Sequence, residues 1–155
     1  MIDRLKNYWS SHGLELASGA DPDSLQEFER KNTTRLPDDF RNYLLAIDGM
    51  KPYIPNDCDK EGFSFWSIQR IKSIRQEKPD TIWPAGLPAP SQCFIFADYL
   101  QWSWAYAIDL STAAKNNGAI FSVGVLKPNK ISDSFSEFIK LYLEDSNLLY
   151  PEWNP

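Results

Sequence analysis

The chain has 155 residues, 43% of them hydrophobic and 24% charged, with a formal net charge of −5. That length and balance describe one domain, residues 1–155, able to bury a core without staples, and exclude a disordered chain. The acidic balance argues against direct nucleic-acid binding, which needs clustered Lys and Arg, and is compatible with a basic protein partner.

In chain order, Ile2, Leu5 and Tyr8 or Trp9 recur at helical spacing up to His12-Gly13, which predicts a first short amphipathic helix. "ADPDSLQEFERKN" predicts a second, with Asp21 as its cap, Pro22 in the first position and Leu25 and Phe28 facing inward. "RLPDDFRNYLLAIDGM" predicts a third. Pro37 suits its first position, Asp38 and Asp39 its first turn, and Phe40, Tyr43, Leu44 and Ile47 form one buried stripe. Gly49 can take the left-handed conformation that ends it.

"KPYIPNDCDKEG" reads as a loop, and the alternating, aromatic "FSFWSI" as a strand. Ile68, Ile71 and Ile74 in "IQRIKSIRQE" suggest a short helix, and the prolines of "KPDTIWPAGLPAP" an irregular segment. "CFIFADY" and "WSWAYAID" then read as strands. The alternation of the second puts Trp102, Trp104, Tyr106 and Ile108 on one face. "STAAKNNG" connects to "AIFSVGV", an antiparallel neighbour, and Ser134 with Glu137 forms a capping box for a last helix with Phe135, Phe138, Ile139 and Tyr142 as its stripe. Helices, then hairpins, then a helix predict an α+β domain.

Catalytic and metal signals are sparse. His12 is the single histidine and sits beside Gly13 at a helix end, where capping explains it better than nucleophilic catalysis does. Cys58 and Cys93 are far apart and form no CxxC pair, so neither a disulfide framework nor a zinc site is expected. Asp57, Asp59, Glu61 and Gly62 imitate half of a calcium-binding loop, but Ile68 stands where a bidentate Glu is required. Asp48, Asp98 and Asp109 are carboxylates that could converge on a hydrolase site, with Asp98 and Asp109 the pair in question. No cofactor motif is visible.

Four stretches carry a family resemblance in order: "LPDDFRNYLLAIDGM", "GFSFWSI" with its short helix, "FIFADYLQWSWAYAIDLS" and "SFSEFIKLYLED". From Asp23 to Glu144 the chain resembles the SUKH superfamily, which includes fungal cell-wall assembly regulators and many bacterial immunity proteins. The resemblance implies helices packed around an antiparallel-rich sheet, no catalytic activity and no cofactor. It also implies a protein toxin as partner, often a nuclease, which the chain would bind and block. With no apolar leader and no run long enough to span a bilayer, the expected setting is soluble and intracellular; the further expectation of a bacterial cytoplasm does not follow from those features.

Aromatics make up 14% of the residues, and they either fill the core or line an exposed binding surface. On the binding reading the candidate contacts are Trp66, Asp98, Tyr99, Trp102 and Trp104, with Asp57, Asp59 and Glu61 at the rim. On the core reading Trp102 and Trp104 point inward from their strand. A small-ligand or glycan-binding module, using the same rings as a stacking platform, is the alternative function.

Overall fold

Helices form where apolar spacing and caps coincide. α1 (Ile2–Ser11) buries Leu5 and Trp9 and is closed by the backbone N–H of His12. α2 (Pro22–Asn32) starts at Asp21, whose carboxylate accepts the Asp23 N–H at 2.8 Å, and it buries Leu25 and Phe28. α3 (Asp38–Ala46) buries Phe40, Tyr43 and Leu44. Pro37 is its N-cap rather than its first helical residue, and Ile47, though buried, has already turned extended. Gly49 takes the expected left-handed conformation, with φ 74°. The computed structural model describes residues 1–51, 58–112, 117–125 and 127–151. Asp57 and the middle of the "STAAKNNG" connection lie outside the described residues.

Six strands pair antiparallel into one sheet: β1 (Phe63–Phe65), β2 (Lys72–Ser73), β3 (Cys93–Tyr99), β4 (Trp104–Asp109), β5 (Ile120–Val123) and β6 (Lys130–Ser132). The order is β1-β3-β4-β5-β6, with β2 also pairing β3. Beyond the 68–77 segment, whose helical reading is only a fragment of the truth, the sequence hides β6. In that segment Lys72 and Ser73 pair with Ile95 and Phe94, and only α4 (Ile74–Glu77) is helical, nucleated by a Ser73–Gln76 capping box. Ile71 and Ile74 are buried on either side of this switch, so their spacing served packing rather than one continuous helix.

α5 (Phe135–Leu143) buries its predicted stripe. Ser134 Oγ accepts the Glu137 N–H, while Glu137 Oε2 accepts from Asp133 instead of Ser134. A 3-10 turn, Asn147–Leu149, follows. The helices pack on one face of the sheet. Trp9 meets Phe65, Phe28 meets Phe94, and Phe40 and Phe135 both meet Phe96, all with centroids 5.3–5.7 Å apart. The result is the α+β domain the sequence predicts.

Candidate functional site

β3 and β4 are joined by Leu100-Gln101-Trp102-Ser103, because the register pairs Tyr99 with Trp104. Trp102 is therefore in the turn, not on the strand face with Trp104. Leu100, Gln101 and Trp102 carry φ values of 44°, 52° and 74° in succession. Left-handed backbone costs a non-glycine residue about 1 kcal/mol, so neighbouring groups must hold this turn. Leu100 N–H donates to Gly62 O at 2.9 Å, Ser103 N–H donates to Tyr99 O at 3.0 Å, and Trp102 N–H donates to Asp98 Oδ1 at 3.3 Å. Gly62 leaves the space: a Cβ there would lie 2.6 Å from Leu100 Cδ2. Leu100 itself stays 53% exposed.

Successive strand residues face opposite sides, so Asp98 and Tyr99 divide the predicted site in two. Tyr99 lies on the helix side with Trp104. Their rings stack with centroids 4.3 Å apart, and Tyr150 meets Tyr99 edge-on at 5.6 Å. Trp104 Nε1–H donates to Tyr106 Oη at 2.8 Å, which fixes the indole, and Tyr150 Oη–H donates to Asp145. Glu61, partly exposed beside Lys60 at 3.4 Å, lies in the same neighbourhood. Burial first, and then the charges of Glu61, Asp145 and Asp59, raise the Tyr99 hydroxyl above the usual tyrosine range. The Tyr8 hydroxyl is raised by burial and by the same three carboxylates. The site is thus an aromatic surface in a negative field.

The other side is built around Asp98, which is only 3% exposed. Its Oδ2 accepts the Trp66 indole N–H at 2.6 Å and lies 3.5 Å from the Arg70 guanidinium. Arg70 also covers the Trp66 ring at 4.1 Å, Trp102 meets Trp66 edge-on at 5.6 Å, and Lys78 Nζ sits 4.5 Å above the Trp102 ring. Trp66 is 2% exposed, so it supports Trp102 from beneath rather than offering a contact face.

The sequence model of the SMI1 / KNR4 family (SUKH-1) matches residues 19–141. The chain belongs to the SUKH-1 family. No curated protein matches it. The family match spans the β3–β4 hairpin, Trp66 and Asp98, whereas Tyr8, Asp145 and Tyr150 lie outside it.

Within this SUKH-1 chain Asp59 does not stand at an acidic rim. It is 6% exposed, and its carboxylate accepts the Tyr142 hydroxyl and the N–H groups of Glu61 and Phe63. Tyr142 in turn accepts the Trp9 indole N–H at 2.9 Å, so Asp59 ties the segment before β1 to α5 and α1. Burial raises the Asp59 carboxyl above its ordinary value, partly offset by these hydrogen bonds.

Asp98 and Asp109 do not converge either. Asp98 pairs with Ala105 and Asp109 with Cys93, four strand positions apart, or about 13 Å along β4. That exceeds the separation of a glycosidase pair. Asp109 instead accepts the Ser111 N–H, and Asp48 the Ile68 N–H. His12 is exposed, donates from Nδ1 to Tyr8 O at 2.7 Å and packs its ring, tilted by 37°, against Tyr8, a helix-end role. An open groove of about 480 Å³ runs between α2 and residues 68–76. Among the described residues Phe28 is its one aromatic lining residue, so the Trp and Tyr platform does not form it. Among the described residues no helix is long and apolar enough to cross a membrane.

Sequence reasoning missed Tyr8, Leu100, Asp145 and Tyr150. Leu100 carried a local signal, since it is an aliphatic residue between two predicted strands. The other three reach the site only through folding.

Proposed function

We propose that this SUKH-1 protein is a non-enzymatic immunity protein of the bacterial cytoplasm, which binds and neutralises a toxin domain by protein–protein contact. The observation that carries the reading is the β3–β4 turn, held in a left-handed conformation with Leu100 exposed and Tyr99, Trp102 and Trp104 half-buried around it. Strain kept at an exposed apolar tip marks a surface shaped for contact. Tyr and Trp add large contact area at small rotational cost. A net charge of −5 speeds the approach of a basic toxin such as a nuclease.

The test is affinity capture from source-cell lysate, followed by an assay of the captured protein's toxicity with and without the purified chain. Stoichiometric loss of toxicity supports the reading. Capture of a protein whose activity is unaffected, or a rise in Tm with oligosaccharides instead, turns the assignment to a ligand-binding module.

A further inference from the structure

The two sides of the β3–β4 hairpin differ in one respect that selects between them. On the Trp66 side the ring faces are already covered by the chain's own cations, Arg70 over Trp66 and Lys78 over Trp102, and Arg70 also lies against Asp98. A second cation arriving there would meet occupied rings and like charge. Among the described residues, both cation–ring contacts of the molecule are on that side.

The Tyr99 side has the opposite character. Tyr99, Trp104 and Tyr150 form a half-buried set of rings whose mutual contacts run from 4.3 to 6.4 Å. Asp145 is exposed beside Tyr150, and Glu61 is partly exposed near Tyr99, where its carboxylate makes a solvent-exposed ion pair with Lys60 at 3.4 Å that an incoming cation can replace. Asp59 adds a smaller negative contribution at the Tyr99 hydroxyl. Ring faces attract cations through their quadrupole, and a carboxylate at the ring edge orients the cation's N–H groups.

We infer that the partner-facing surface is the Tyr99–Trp104–Tyr150 platform and that its occupant is an arginine or lysine side chain presented by a basic protein partner. This rests on the immunity reading for the identity of the partner, and on geometry and charge complementarity for the place and the chemistry. The exposed Leu100 borders the platform and supplies an apolar contact next to the seated cation.

The indole N–H signals of the chain allow a direct test, because Trp104 reports one side and Trp66 the other. ¹⁵N-labelled protein is titrated with a capped peptide of alternating Gly and Arg, and separately with its Gly–Glu counterpart. The Trp104 indole should shift saturably with the arginine peptide, in the millimolar range, and not with the glutamate peptide. Glu61→Lys with Asp145→Lys should weaken that binding at least tenfold. Glu61→Gln with Asp145→Asn, which keeps the size of both side chains, should weaken it less. A saturable shift at Trp66, an equal response to both peptides, or no saturable shift overturns the inference.

The captured toxin separates this inference from the functional reading. If the doubly reversed variant still neutralises the toxin with unchanged affinity, the platform assignment fails and the immunity reading stands. If no toxin is neutralised by the native chain while the arginine peptide shifts Trp104, the platform stands and the immunity reading fails.

Discussion

The indole N–H of Trp66, just after β1, donates at 2.6 Å to the carboxylate of Asp98 on β3, 32 residues later in sequence, and both groups are buried. The same carboxylate accepts the Trp102 N–H and faces Arg70. Asp98→Ala strips an acceptor from the buried Trp66 indole and the part-buried Trp102 N–H, and a counter-charge from Arg70, and should cost about 3 kcal/mol. Asp98→Asn keeps one oxygen and should cost about half as much. Urea unfolding followed by Trp fluorescence reads both. Equal losses would mean that the carboxylate's charge, which both variants remove, matters rather than the acceptor oxygen that Asn keeps.

Gly49 combines φ 74° with a close approach: a Cβ there would lie 2.6 Å from Trp66 C and 2.7 Å from Phe65 O. Gly118 has φ 92°, but its Cβ would meet Pro37 Cγ at an ordinary 3.4 Å. Gly49→Ala should therefore cost about 3 kcal/mol and Gly118→Ala about 1 kcal/mol. At roughly 2–4 °C per kcal/mol for a chain of this size, calorimetry separates them. Similar Tm losses would refute the close approach as the cause.

Asp59 should give a pH signature. Burial raises its carboxyl in the folded state, so the native protein holds this proton more tightly than the unfolded chain does. The stability this provides is complete below the unfolded value of about 3.9 and is lost as pH rises through the folded value. Asp59→Asn mimics the protonated form at every pH. The variant's deficit relative to the native protein should therefore be larger at pH 3 than at pH 7. A deficit that grows with pH would reverse the sign of the argument.

Cys93 is buried on β3, and burial together with the nearby charge of Asp109 pushes its thiol up to about 12. Cys58 is partly exposed. Under native conditions at pH 8, iodoacetamide should modify Cys58 and leave Cys93 intact until denaturant is added. Mass spectrometry of tryptic peptides checks this, and native labelling of Cys93 would show that the start of β3 opens from β4.

The helices were legible because their signals are local. Asp21 and Pro22 start α2, Ser134 starts α5, and each apolar stripe repeats within one or two turns. The strands β1, β3 and β5 were legible from alternation and aromatic content. Alternation also misled, since it placed Trp102 beside Trp104 on one strand face. A pattern of period two cannot register three successive left-handed residues, and the backbone reverses at Leu100-Gln101-Trp102. β6 was hidden because Lys130–Ser132 is too short to show a period.

For the site, the tip residues Tyr99, Trp102 and Trp104 could be named from the sequence because hairpin neighbours are neighbours in the chain. Their grouping could not. Asp59 looked like a solvated loop carboxylate, yet Tyr142, 83 residues later, buries it. Tyr150 and Asp145 join Tyr99 only because α5 returns the chain to that end of the sheet. The sequence by itself carried the SUKH resemblance, the capped helices and the α+β class, since each is built from local stretches whose order can be read along the chain. Tertiary structure decided which carboxylates meet solvent and which rings already carry a cation. Burial and charge neutralisation are set by contacts between distant segments, from Trp66 with Asp98 to Trp9 with Tyr142, and no local pattern encodes them.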